Sequence, residues 1–104
     1  MDPRTVALNQ DITDIQDFTQ CVFAFQNHLR LLHQQQIPIT ELEEDASSLA
    51  YRAIYIHDLI FVQRGAQLRR LARVNRAVAA CLRLAMLAQE DFRAIMLEHF
   101  IPRA

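Results

Sequence analysis

The chain has 104 residues, of which 52% are apolar, and its formal net charge is −1. One glycine and three prolines exclude collagen-like and low-complexity chains and leave few turn residues for a sheet protein. The length supports one core in one domain, residues 1–104, and the near-neutral charge creates no overall field toward nucleic acid or anionic lipid.

The first predicted helix covers about residues 12–35. Thr13 and Gln16 form a candidate capping box at its start, where Asp11 adds a favourable negative charge. Pro38 disfavours helical geometry in the residue before it, so the helix should end in the glutamines that precede it. One apolar stripe with helical spacing consists of Ile15, Phe18, Val22, Phe25, Leu29 and Leu32.

The second predicted helix covers about residues 41–63. Thr40 and Glu43 form another candidate capping box. Gly65, the only glycine, is expected to close this helix in a left-handed conformation. The main apolar stripe consists of Leu42, Ala46, Leu49, Ala53, Ile56 and Ile60.

The third predicted helix covers about residues 67–99, with Pro102 beyond it as a stop. It would reach about 50 Å, against about 30–35 Å for the other two, so it should bend near Gln89–Asp91 or project past them. The three segments all show helical periodicity, so the predicted fold is all-α. Because short connections make neighbouring helices antiparallel, we expect an antiparallel three-helix bundle with a long third helix, associating into a larger helical assembly.

The second and third helices carry more apolar residues than one flank of a bundle helix can bury. From Ala77 to Ala88 the only charged residue is Arg83. This surplus predicts an interface with another chain. The alternative is a monomer in which a deeply buried central helix accounts for the extra apolar residues. The candidate interface residues are Tyr51, Ile54, Tyr55, Phe61, Ala80 and Leu84.

Charge is divided unevenly along the chain. Residues 1–62 hold nine acids and three arginines, net −6, whereas residues 63–104 hold eight arginines and three acids, net +5. Such opposite charges predict pairing between the helices at their flanks. Four arginines would lie within about 80° of one another on a continuous third helix, where they could contact phosphates, bind an acidic partner, or remain a solvated face. They are Arg69, Arg73, Arg76 and Arg83.

The sequence shows no arrangement typical of an enzyme or a metal site. His28 and His33 are five residues apart and point in different directions on a helix, and no Glu-x-x-His motif occurs. A nucleophile elbow of the G-x-S-x-G type is also missing. Cys21 and Cys81 lie in apolar runs, which indicates inert buried thiols. We therefore expect a protein that is not an enzyme and uses neither a cofactor nor a metal.

The N-terminal residues lack the pattern of a signal peptide, and the longest apolar run, Ala77 to Ala88, is short of the roughly twenty residues that span a bilayer. The expected location is the cytoplasm, without membrane contact. The leading hypothesis is a helical protein-protein interaction module, adaptor or regulatory in character, that forms homo-oligomers or docks on a partner protein. The alternative is a small nucleic-acid-binding protein that uses the arginines of the third helix.

Overall fold

The computed structural model describes residues 2–100, and this part of the chain is helical, with no strand. The all-helical prediction is confirmed, but four α-helices are present where three were expected. They are α1 (Pro3–Gln34), α2 (Glu43–Asp58), α3 (Gly65–Val74) and α4 (Arg76–Ile95). A 3-10 turn at Ile39–Leu42 precedes α2, and π-helical turns follow α2 and α4 at Leu59–Gln63 and Met96–Phe100.

Helix α1 begins at Pro3, well before the predicted start at residue 12. The carboxylate of Asp2 accepts a hydrogen bond from the Arg4 amide at 3.1 Å, and proline suits the first helical turn. The predicted capping box was wrong, because Thr13 lies inside the helix and its Oγ1 donates to the carbonyl of Asn9 at 3.1 Å. None of residues 2–10 is fully buried, so the apolar pattern could not reveal these first turns.

The end of α1 agrees with the prediction and is closed by a Schellman motif. Gln36 has a positive φ of 58°, and its amide donates to the His33 carbonyl at 3.2 Å. The next amide, that of Ile37, donates to the Leu32 carbonyl at 2.9 Å. These two bonds satisfy carbonyls that the helix end leaves unpaired, and Pro38 then prevents its continuation.

The start of α2 differs from the prediction. Thr40 lies in the preceding 3-10 turn, and the N-cap position is held by Leu42, which makes no side-chain capping bond. The predicted capping box of Thr40 and Glu43 was therefore wrong. Acidic residues do occupy the first turn of α2, where they interact favourably with the helix dipole.

Gly65 does not close α2 in a left-handed conformation, since no glycine of the structure has a positive φ. It is instead the buried first residue of α3. A Cβ at this position would lie 2.9 Å from the carbonyl oxygen of Ile60. The glycine is needed because the π-helical turn, closed by a bond from the Arg64 amide to the Leu59 carbonyl at 2.9 Å, brings the backbone close to it.

The single third helix predicted over residues 67–99 was wrong, because Asn75 divides it. Asn75 has extended geometry, with φ −135° and ψ 107°. Its Oδ1 accepts hydrogen bonds from the amides of Ala77 and Val78 at 3.0 and 3.2 Å, so it caps α4. Helix α4 then continues through Gln89–Asp91, where a bend was one of the two expected alternatives, and Pro102 lies outside the described residues.

Helix α1 packs most extensively against α4 and next against α2. Helix α2 runs antiparallel to α1, because Arg52 contacts Cys21 while the later Arg64 contacts the earlier Asp11. Helix α4 runs parallel to α1: its start lies beside residues 16–23, and Phe92 packs edge-on to Phe25 with ring centroids 5.9 Å apart. Helix α3 therefore connects α2 to α4 at the end of the molecule where α1 begins. The predicted three-helix bundle is replaced by this four-helix arrangement.

The molecule is elongated, with principal extents of 50 × 27 × 21 Å and a radius of gyration of 15.6 Å. A compact chain of this length has a radius of gyration of about 13 Å. Its accessible surface is 7451 Å², whereas monomers of this mass expose about 6,000 Å². The fold thus leaves roughly 1,400 Å² more surface in contact with solvent than a compact monomer does.

Candidate protein-interaction surface

Helix α2 carries large apolar side chains on the side that faces away from the core. Its buried residues, Leu49 and Ile56 among them, point toward α1. At 100° per residue, Tyr51 and Ile54 lie on the opposite side, and they are 78% and 70% exposed. We define the α2 outer face as the exposed residues Tyr51, Ile54 and Tyr55 of α2 together with Phe61 and Val62 of the π-helical turn that follows it.

Polar side chains border the α2 outer face, and some of them contact residues of the face or each other. The ring of His57 lies against that of Phe61, with centroids 4.7 Å apart. Asp58 lies between Tyr55 and Val62 in the chain, and its carboxylate accepts a hydrogen bond from the side-chain amide of Gln63. An apolar centre with a polar border is the composition found in protein-protein interfaces.

Ala80 and Leu84, the two remaining candidate interface residues, lie on a different surface. They line an apolar groove of about 480 Å³ between α1 and α4, together with Phe23 and Cys81. Leu84 is 47% exposed, and Ala80 is half-buried. The structure therefore divides the predicted interface residues between the α2 outer face and this groove. Phe23 was not among the candidate interface residues, although it is a large apolar residue that lies off the buried stripe of α1.

The four candidate arginines are all exposed, but they do not form one stripe. The break at Asn75 places Arg69 and Arg73 on α3 and leaves Arg76 and Arg83 on α4, so the prediction of a continuous face was wrong. Helix α3 has no acidic residue, and it also carries Arg70. We refer to Arg69, Arg70 and Arg73 as the α3 arginines.

Pairing between the oppositely charged parts of the chain is limited to one contact in residues 2–100. Arg64 Nε lies 2.8 Å from Asp11 Oδ2 and ties the start of α3 to α1. The Asp11 side chain is only 12% exposed, so this pair is largely shielded from solvent. The α3 arginines make no ion pair with any carboxylate of the described residues.

An acidic group lies at the other end of the molecule. Glu41 belongs to the 3-10 turn, and Glu43 and Glu44 belong to the first turn of α2, where all three are exposed. This turn packs against α1, and Ile39 lies beside His33 near the end of that helix. We define Glu41, Glu43 and Glu44 as the acidic end. The α3 arginines and the acidic end therefore occupy opposite ends of the elongated fold.

The two cysteines are free and have different surroundings. Burial raises the pKa of the Cys81 thiol, as expected for an inert buried cysteine. Cys21 is only partly buried, and its Sγ accepts a hydrogen bond from Arg52 Nη1 at 3.2 Å. Within residues 2–100, no group of three or more His, Cys, Asp or Glu side chains could hold a metal ion.

None of the helices between residues 2 and 100 is both long enough and apolar enough to cross a membrane. No protein-family model, curated protein or solved structure matches the chain. The observations that bear on function are therefore the exposure and the charge of the side chains on the surface of this chain.

Proposed function

We propose that the protein is a non-enzymatic helical interaction module that self-associates or docks on a partner protein through the α2 outer face. The observation that carries the proposal is the exposure of Tyr51 and Ile54 on α2 and of Val62 in the π-helical turn that follows it, which are all at least 70% exposed. Complete burial of a side chain of this kind is worth about 1.5–3 kcal/mol. A partner that covers this flank would therefore gain substantial binding free energy.

The type of side chain supports the same proposal. Tyr51 and Tyr55 are one helical turn apart, and each combines a large apolar ring with a hydroxyl group that can form a hydrogen bond. Tyrosine is enriched among the residues that dominate binding energy in interfaces. The excess exposed surface of roughly 1,400 Å² also exceeds the area of about 800 Å² that each partner contributes to a standard interface.

Substitution of Ile54 by aspartate tests the proposal. We expect Ile54→Asp to dissociate the assembly, because it places a charge at the centre of the apolar face, while the helix content stays close to that of the wild type. Light scattering after size-exclusion chromatography at two protein concentrations would measure the mass, and circular dichroism would measure the helix content.

Val6→Asp is the matched control, since Val6 is an exposed apolar residue of α1 and does not belong to the α2 outer face. This variant should keep the wild-type mass. An Ile54→Asp protein that remains fully associated would show that the α2 outer face is not the interface. A wild-type protein that is monomeric at both concentrations would contradict self-association.

Nucleic-acid binding is the second candidate function, and the exposed α3 arginines on a helix without acidic residues favour it. Binding through phosphate contacts weakens steeply as the salt concentration rises. Random duplex and single-stranded DNA should then bind at low salt, and Arg69→Ala/Arg73→Ala should weaken both. The absence of binding by the wild-type protein at low salt would exclude this function.

A further inference from the structure

We propose that the α2 outer face binds a second copy of this chain, with the two α2 helices antiparallel about a two-fold axis near Ile54 and Tyr55. This inference rests on the proposed function and names its partner and geometry. A two-fold contact is self-complementary: if one residue meets a second, the second also meets the first on the other copy. The α2 outer face and the charged groups at its two ends satisfy this condition.

An antiparallel register centred on these residues pairs each side chain with a suitable neighbour. Ile54 of one copy packs against Tyr55 of the other, and Ser47 lies opposite Val62. Tyr51 lies opposite Asp58, so its hydroxyl can donate to that carboxylate across the interface. This contact matters because Asp58 is a charged residue within an apolar face, and the Gln63 amide uses only part of the hydrogen-bonding capacity of its carboxylate.

The charges favour the antiparallel orientation over the parallel one. The acidic end precedes α2, and the α3 arginines follow it, so antiparallel helices bring each acidic end beside the arginines of the other copy. A parallel pair would instead place acid beside acid and arginine beside arginine. Opposite charges at the edges of an interface select orientation and register, and like charges oppose the wrong arrangement.

A second copy fits better than an unrelated partner because one chain supplies both complementary groups. In residues 2–100, neither the acidic end nor the α3 arginines form an ion pair within the chain. Both groups are exposed, and they lie before and after α2 in the chain.

Cysteine cross-linking tests the orientation. In a Cys21→Ser/Cys81→Ala background, Ser47→Cys and Val62→Cys would be prepared separately, with a short tag on one of them so that mixed dimers are resolved on a gel. The antiparallel register predicts that oxidation of the mixture yields mainly mixed dimers, while each protein alone cross-links poorly. A disulfide forms only when the two Cα atoms approach within about 7 Å.

Ile54→Cys in the same background is the positive control, because it lies beside the proposed axis and should link to itself. Efficient cross-linking of Ser47→Cys and of Val62→Cys each with itself, and not with the other, would overturn the antiparallel geometry. In that case the proposed function would survive, since the face would still be an interface. A monomeric wild-type protein would overturn the proposed dimer, whereas docking of a different protein on the α2 outer face would be unaffected by that result.

Charge reversal provides a second, independent test. We expect Glu41→Arg/Glu44→Arg and Arg69→Glu/Arg73→Glu each to weaken self-association about tenfold or more, because each brings like charges together across the interface. An equimolar mixture of the two variants should associate within about threefold of the wild-type affinity, since its mixed dimer regains opposite charges at both ends. A mixture as weak as the separate variants would overturn the proposed pairing.

Discussion

Arg52 and Arg64 show how strongly the neighbours of a residue determine its role. Arg64 forms an ion pair with Asp11, whose side chain is largely buried, whereas Arg52 donates to the thiol of Cys21. In the sequence Asp11 is a suitable charge for a helix start. In the structure it lies inside α1 and connects that helix to the start of α3, more than fifty positions away.

The buried thiol of Cys81 gives a prediction at the scale of one residue. Its pKa in the folded protein lies above the ordinary value of 9.0, because burial disfavours the thiolate. The unfolded chain therefore loses this proton first as the pH rises. The contribution of Cys81 to stability is complete below pH 9.0 and is lost as the pH increases toward the folded pKa.

We expect the difference in free energy of unfolding between the wild type and Cys81→Ala to be constant from about pH 6 to 8 and to decrease above pH 9.0. Urea denaturation followed by circular dichroism would measure it. Val78→Ala is the control, because it removes buried atoms from the same face of α4 without removing a titratable group. If both differences change equally with pH, ionisation of Cys81 is not the cause.

At the scale of elements, the boundaries of α3 depend on backbone contacts and caps. Asn75 accepts two amide hydrogen bonds and starts α4, although the apolar spacing continues across it. Gly65 is the first residue of α3, and the carbonyl of Ile60 leaves no room for a Cβ at this position. Both residues therefore act through geometry that helix propensity does not describe.

Substitution of Gly65 by alanine separates the effect of helix propensity from that of the close contact with the Ile60 carbonyl. Helix propensity alone predicts that Gly65→Ala stabilises the protein by up to about 1 kcal/mol. The contact of 2.9 Å with the Ile60 oxygen requires a backbone shift, and overpacking of this kind costs about 1–3 kcal/mol. We therefore expect a net loss of free energy of unfolding, measured by urea denaturation.

Ala66→Gly is the control for this prediction, since Ala66 is the next residue of α3 and is exposed. It should cost about 0.5–1 kcal/mol through propensity alone. A Gly65→Ala protein that is more stable than the wild type would show that the Ile60 carbonyl does not constrain this position.

At the scale of the whole molecule, an elongated fold with apolar residues along one flank links stability to association. Ligands that bind only the folded state raise the unfolding temperature, and a second copy acts as such a ligand. We expect the thermal midpoint of the wild type to rise with protein concentration, while that of Ile54→Asp stays constant. Differential scanning calorimetry over a hundredfold concentration range would measure both, and equal behaviour of the two proteins would contradict the role of this face.

The helical stripes could be predicted from the sequence because they depend on local spacing. Ile15, Phe18 and Val22 are fully buried on α1, and Ile56 is buried on α2, as their periodicity indicates. The exposure of Tyr51 and Ile54 also follows from local pattern, since both lie opposite the buried stripe of their helix. That these residues bind another chain remains a prediction.

The sequence by itself determined the all-helical class, the end of α1 and the apolar surplus of α2, because periodicity and proline act within a few residues. Tertiary structure alone decided two other features: the ion pair of Asp11 with Arg64, and the groove that joins Phe23 to Leu84. Each of them brings together residues more than fifty positions apart. Such contacts depend on how whole helices pack, which local spacing does not specify.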